Sequence, residues 1–183
     1  MKKLIITISL LFVSLLSNAQ NKYGLKTLKI DINNNGIQDV IKPFDEYMEL
    51  KIDNKKYKIN YENDLGFEIT EIEFSNNVII ISGGTNGTGA WSFTYKFRYN
   101  KLKNKIELIG YEDFSKWVSG NRTTSINLIN NKYEVTVMEW NERKQDHDIS
   151  VFKGKKNFKK IYLTELRNAD FEIFSAVGQQ YEN

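Results

Sequence analysis

The sequence predicts a single all-β domain, an antiparallel sandwich or strongly curved sheet, closed by one short C-terminal helix. Three observations carry this. Short apolar or alternating runs recur along the chain, the segments between them are rich in Asn, Asp and Gly, and nowhere do strands alternate with long amphipathic helices as a parallel doubly wound fold requires. Such spacing favours hairpins between neighbouring runs.

The first element belongs to export rather than to the domain. Lys2 and Lys3 supply a positive start, Leu4 to Leu16 form an apolar run, and Ser17-Asn18-Ala19 ends in the small-x-small pattern that signal peptidase accepts. Residues 1–19 are therefore expected to be a cleaved signal peptide, with residues 20–183 as one β-rich domain working in the periplasm or as a secreted protein. The apolar run falls short of the roughly 20 residues that a membrane-crossing helix needs, and no other stretch is apolar enough, so no membrane span is expected. Loss of Lys2 and Lys3 lowers the formal charge from +3 to +1, which leaves no bulk electrostatic case for nucleic acid. The absence of cysteine excludes a lipidated cysteine at the cleavage site and any disulfide framework. Abundant Asn, Lys and Ile, with a single Pro, match the usage of bacteria with AT-rich genomes.

Strands are expected at Leu25–Ile32, around Val40-Ile41, and at Tyr47–Ile52, Tyr57–Tyr61, Ile69–Phe74 and Val78–Ser82. The second half continues with Trp91–Tyr99, Ile106–Ile109, Ile126–Ile129, Tyr133–Trp140, Ile149–Phe152 and Phe158–Leu163. Turns are expected at Asp53-Asn54, Asn76-Asn77, Lys103-Asn104 and Asn130-Asn131. Near the C-terminus Asn168 is placed to cap a short helix carrying Phe171, Phe174 and Val177 on one side.

In Trp91–Tyr99 every odd residue is aromatic and every even one polar, which predicts one core face and one wet face. An exposed stacking platform for sugars or bases is the alternative, but it forgoes about 1.5–3 kcal/mol of burial at each large side chain. The glycine-rich Gly83–Gly89 has no following Lys-Ser or Lys-Thr and precedes a strand, so it reads as a hairpin tip rather than a phosphate loop.

One segment carries metal chemistry. Asp31, Asn33, Asn35 and Asp39 stand at positions 1, 3, 5 and 9 of a nine-residue stretch with Gly36 at position 6, and the Ile37 carbonyl adds a further oxygen. Alternate residues can point inward and glycine permits the sharp reversal, a spacing suited to calcium. The candidate hairpin covers residues 28–44. Asn35-Gly36 is also the strongest short-range signal for a metal-free type I′ turn, and both readings stand at this level.

On these residues the loop resembles the calcium loops of FG-GAP and VCBS repeats, usually D-x-[DN]-x-D-G-x-x-D, with Asn35 where the family has aspartate. A calcium site lacking one carboxylate is expected to be weak. With no second loop of this kind in the sequence, a repeat propeller is not supported. Val78–Gly84, Trp91–Tyr99, Leu108–Tyr111 and Ser125–Leu128 extend the resemblance to a group of small exported bacterial proteins that pair one such loop with a β-rich domain and have no assigned activity. That resemblance implies location and architecture, not a reaction.

No catalytic residue is assigned. His147 is the only histidine and sits in a polar stretch read as a surface loop; no serine elbow accompanies it, and cysteine nucleophiles are excluded by count. Carboxylate pairs such as Glu46 and Glu49, Glu68 and Glu71, or Glu112 and Asp113 are too numerous to single one out. Lys153, Lys155, Lys156, Lys159 and Lys160 read as solvated lysines guarding a sheet edge. The sequence thus leans away from an enzyme, towards an envelope or secreted binding protein with a protein or glycan partner outside the cytoplasm. Recognition is expected at Gly83–Ala90 or Trp117–Thr124. A periplasmic inhibitor or immunity-like protein and a carboxylate-dependent secreted hydrolase are the alternatives.

Overall fold

The computed structural model describes residues 23–61, 68–87 and 89–182. The expected signal peptide, residues 1–19, and Thr88 in the glycine-rich tip lie outside them. Among the described residues eleven strands form two sheets, and within each sheet successive strands are antiparallel neighbours. The first sheet is built from β1 (Leu28–Ile30), β2 (Asp39–Pro43), β3 (Tyr47–Ile52) and β4 (Lys55–Asn60), in that order. The second runs from β5 (Ile69–Ser75) through β6 (Val78–Thr85), β7 (Trp91–Asn100), β8 (Lys105–Trp117), β9 (Gly120–Asn127) and β10 (Lys132–Asn141) to β11 (Asp146–Lys155), again with each strand beside the next. The all-β antiparallel expectation holds.

Local chemistry explains the hairpins. Asp53 and Asn54, and Asn76 and Asn77, all have positive φ, as a two-residue type I′ turn requires, and Asn104 and Asn131 adopt the same left-handed region in their turns. Asn and Asp tolerate that region because a short polar side chain can bond the nearby backbone. Pro43 ends β2 beyond the reach of β1, whose ladder stops at the Leu28–Ile41 pair, so its missing N–H forfeits no bond on that side.

One hydrophobic core draws on both sheets. Ile41, Met48, Leu50 and Ile59 come from the small sheet and Ile79, Ile81, Phe93, Tyr95, Phe97 and Tyr111 from the large one. Helix α1 (Asn168–Gln179) closes the inner face of the large sheet with Phe174 and Val177 buried, and Phe171 meets the rings of Phe93 and Tyr111 edge-on. The helix cap is Arg167, one residue before the expected Asn168, and the Asp170 carboxylate accepts the Arg167 N–H at 2.9 Å.

Several expected boundaries move. The first strand shrinks to β1 because the chain from Asp31 turns into the loop. Gly83 and Gly84 belong to β6 rather than to its tip, and a Cβ at Gly83 would lie 2.4 Å from the Phe93 ring, so the missing side chain makes room for that aromatic. Trp117–Thr124 is not a loop: β8 runs to Trp117, Val118-Ser119 make the turn, and β9 begins at Gly120. Phe158–Leu163 is not a strand but extended chain that makes a single bridge, Tyr162 to Glu107, before the 3₁₀ turn Leu163–Glu165. His147 lies within β11, not in a loop.

Candidate functional site

The 31–39 segment folds into a tight loop held by its own side chains. The Asp31 carboxylate accepts the N–H groups of Asn35 at 3.0 Å and Gly36 at 2.8 Å, the Asn33 amide oxygen accepts Asn35 N–H at 3.2 Å, and the Asn35 oxygen accepts Ile37 N–H at 2.7 Å. Gly36 has φ of 84°, the left-handed conformation its position was expected to need. Asp39, the first residue of β2, is buried and accepts the Ile32 N–H at 3.0 Å. Ile37 itself is exposed.

A residue outside the motif joins the loop. Asp53, in the β3–β4 turn, accepts the side-chain amides of Asn33 at 2.9 Å and Asn35 at 2.6 Å through Oδ1, and its own N–H reaches Asp39 at 3.3 Å. Burial pushes the Asp39 carboxyl above the usual carboxylate range, and the charges of Asp53 and Asp31 push it the same way, against the N–H bonds from Ile32 and Asp53. None of the ion pairs among the described residues involves Asp31, Asp39 or Asp53, so their charge is not offset by a neighbouring Lys or Arg. Such surroundings suit a cation. Yet no three Asp, Glu, His or Cys side chains among the described residues are grouped to hold a metal, so a cation would depend on amide and carbonyl oxygens as well. The side-chain donors here are all oxygens, a chemistry that suits hard cations rather than soft ones, and each of them already accepts an N–H of the loop or of its neighbours.

The aromatic ladder of β7 leads to a second place. Phe93, Tyr95 and Phe97 are core, whereas Trp91 and Tyr99 at the two ends are half-buried, and each lines a cavity. At the Tyr99 end a cavity of about 290 Å³ has Glu107 and Lys160 in its wall, joined at 2.7 Å. At the Trp91 end a cavity of about 360 Å³ lies between α1 and strands β7 to β9, with Trp91, Asp113, Arg122, Phe171, Ser175 and Gln179 among its walls. That volume is in the range of small-ligand sites.

Beneath this second cavity lies a buried polar cluster. Arg122 Nη2 donates to Asp113 at 3.2 Å, both side chains being nearly inaccessible at 4% and 6%, and Nη1 donates to Glu182 beyond the end of α1. Tyr111 donates its hydroxyl to the other Asp113 oxygen at 3.0 Å. Burial raises the Asp113 pKa, and Arg122, Thr124 and Tyr111 oppose the rise without cancelling it. Arg122 Nε has no partner among the described residues. The cluster can hold one end of a polar ligand while Trp91 and Phe171 offer rings to stack on.

The remaining sequence candidates are dispersed. Glu112 and Asp113, adjacent in sequence, face opposite sides of β8, Glu112 reaching Lys96 at 2.7 Å on the outer face. His147 meets Trp140 edge-on at 5.3 Å on the outer face of the large sheet. Lys153 pairs with Glu134 at 2.7 Å and Lys160 with Glu107. Neither cavity at the ends of β7 has two carboxylates in its wall.

Sequence reasoning missed Asp53 and the Asp113–Arg122 pair. In the sequence Asp53 stands out only as a turn residue. For the pair a signal existed: Tyr111 and Asp113 share the inward phase of β8, as Arg122, Thr124 and Ile126 share that of β9, so polar residues at inward positions marked a buried cluster. Comparison with protein-family models, curated proteins and solved structures gives no match to this chain. The likeness of residues 31–39 to FG-GAP and VCBS loops therefore rests on the sequence of those residues alone.

Proposed function

We propose that the protein is an exported, non-enzymatic binding protein of bacterial origin that takes a small polar ligand or glycan segment in the cavity beside Trp91. The observation that carries this reading is the buried Asp113–Arg122 pair opening onto a cavity with Trp91 and Phe171 in its wall. Aromatic rings beside fixed hydrogen-bonding groups suit a ligand with one apolar and one hydroxylated face, as sugars have. Asp113 is held by Arg122 and Tyr111, an orienting arrangement rather than one that frees an acid for proton transfer. Export is supported by the composition of Met1–Ala19.

Calcium enters this reading as a structural ion of the first hairpin. Asp31, Asn33, Asn35, the Ile37 carbonyl and Asp39 would hold it, tying β1 to β2. Calcium titration followed by thermal melting tests this part: a rise in melting temperature at millimolar calcium is expected, and Asp31→Ala should abolish it. Unchanged melting, with no lanthanide binding, overturns it.

The binding reading is tested on a glycan array and by capture from periplasmic extract, with wild-type protein compared to Trp91→Ala and Gln179→Ala. Gln179 is exposed, so its replacement spares the fold. Binding that falls in both variants supports the cavity. Identical profiles in all three proteins place recognition elsewhere, and turnover of any bound glycan overturns the non-enzymatic assignment.

A further inference from the structure

The large sheet has two ends of unlike chemistry. Where β7 stops and β8 begins lie three neighbouring segments, residues 101–105, 128–132 and 155–160; eight of their sixteen residues are lysine, and none is Asp or Glu. At the other end the connections 86–90, 118–119 and 142–145 carry one acid, Glu142, and two bases, Arg143 and Lys144. Residues 20–183 as a whole carry a formal charge of only +1. The basic character therefore belongs to one end of the sheet and not to the chain at large.

The backbone joins the three segments into one surface. Lys132 pairs with Lys155 across β10 and β11, and the Lys156 N–H donates to the Asn131 carbonyl at 3.0 Å. On β8 the Ile109 carbonyl accepts the Leu128 N–H at 3.0 Å, and the adjacent Leu108 N–H donates to the Ile161 carbonyl at 2.9 Å, so the 155–160 segment laps the tip of the β9–β10 hairpin. All eight lysines are exposed. Lys105 and Lys160 are bonded to Glu165 and Glu107, and none of the ion pairs among the described residues involves the other six. Asp39 and Asp53 of the small sheet are within electrostatic reach of Tyr99, at the base of the β7–β8 tip, but pair with none of these lysines. Protection of the β11 edge accounts for Lys155, which lies in that strand, and not for Lys156, Lys159 or Lys160 beyond it.

Two apolar side chains stand out from the same surface. Leu102, between Lys101 and Lys103 at the crest of the β7–β8 hairpin, is 95% exposed, and Ile129, at the crest of the adjacent β9–β10 hairpin, is 61% exposed. A single exposed apolar residue is ordinary on a protein surface. Two at neighbouring crests, set among unpaired lysines, match an anionic lipid interface: the crests can enter the boundary between headgroups and acyl chains while the lysines stay at the level of the phosphates. A soluble polyanion would engage the lysines but offer Leu102 and Ile129 nothing to enter. Val118, 94% exposed at the other end of the sheet, shares its turn with Ser119 alone and so serves as an internal control.

We propose that this end of the large sheet docks peripherally on an anionic lipid bilayer, with Leu102 and Ile129 entering the headgroup region and the surrounding lysines meeting lipid phosphates. Long-range attraction comes from the lysines, and the two apolar crests hold the protein once it arrives; neither signal alone gives firm attachment. Trp91 stands at the opposite end of β7, so the docking surface is separate from the cavity there and does not depend on its ligand.

Co-sedimentation of the purified protein with phosphatidylcholine vesicles containing about 30% phosphatidylglycerol, compared with phosphatidylcholine alone, tests this. Binding to the anionic vesicles should be at least about tenfold tighter and should weaken as salt rises from about 0.05 to about 0.5 M. Leu102→Ser with Ile129→Ser, which keeps every charge, and Lys101→Gln with Lys103→Gln should each weaken binding at least about tenfold with unaltered melting, whereas Val118→Ser should not. The chain has no cysteine, so Leu102→Cys and Val118→Cys each accept a single environment-sensitive dye. Its emission should shift to the blue on anionic vesicles at position 102 and stay unchanged at 118. No binding to anionic vesicles, or binding that survives both double variants, overturns the proposal. Binding lost with the lysines but kept by the Leu102 and Ile129 double variant, and displaced by heparin, also overturns it and assigns the surface to a soluble polyanion.

Discussion

Gly178 of α1 rests directly on Arg122 of β9: a Cβ built there would fall 2.6 Å from Arg122 Nε and 2.1 Å from Thr124 Oγ1. The helix thus approaches the sheet closely where the polar cluster lies, and the missing side chain is what allows it. In an exposed helix Gly→Ala stabilises by about 0.5–1 kcal/mol. Here the neighbours are buried and cannot retreat, so Gly178→Ala is expected to destabilise by about 1–3 kcal/mol in urea unfolding. A gain in stability would show that α1 does not sit as described.

Arg122 is the sole cation of the buried cluster for which the structure gives a bond to Asp113. Arg122→Met should cost about 3–5 kcal/mol, because it leaves Asp113 buried and unpaired. Adding Asp113→Asn should recover much of that loss, since the uncompensated charge is then gone. Equilibrium denaturation of the two variants reads the difference; equal stability of single and double variants would contradict the pairing.

Asp39 sets a pH dependence with an unusual sign for a carboxylate. Its folded pKa lies above the ordinary 3.8, so the folded chain binds this proton more readily than the unfolded one. Its contribution to stability is therefore fully present below the unfolded pKa and is lost as pH rises through the folded pKa. With calcium chelated, wild-type protein should gain stability relative to Asp39→Asn as pH falls from about 6 to about 4. A difference that is flat with pH, or that shrinks on acidification, would refute the burial of this charge.

Asp53 ties the loop to the small sheet by accepting both asparagine amides. Asp53→Ala is expected to cost about 1–3 kcal/mol through the donors it strands. It should also reduce any calcium-induced rise in melting temperature, because it removes a neighbouring negative charge. Chelated and calcium-loaded melts of this variant separate the two effects. A full calcium shift in Asp53→Ala would show that the charge plays no part in holding the ion.

Much of the architecture was legible because its causes are local. The alternation of Trp91–Tyr99 reports which face is buried, and Asp53-Asn54 and Asn76-Asn77 reverse the chain with their own φ angles whatever surrounds them. Ends of elements were less legible. Trp117–Thr124 looks like loop material because Ser119-Gly120 is turn chemistry, yet cross-strand pairing carries β8 and β9 almost to the tip.

The sequence by itself determined an all-β chain of successive hairpins, the reversal at Gly36, and the inward phase of the aromatic ladder, since each follows from side-chain period and backbone sterics within a few residues. Only the tertiary structure decided that Asp53 meets Asn33 and Asn35, and that Arg122 finds Asp113 beneath Gly178. These depend on register and sheet order, which place residues side by side across long sequence separations, where no local preference chooses among many possible partners.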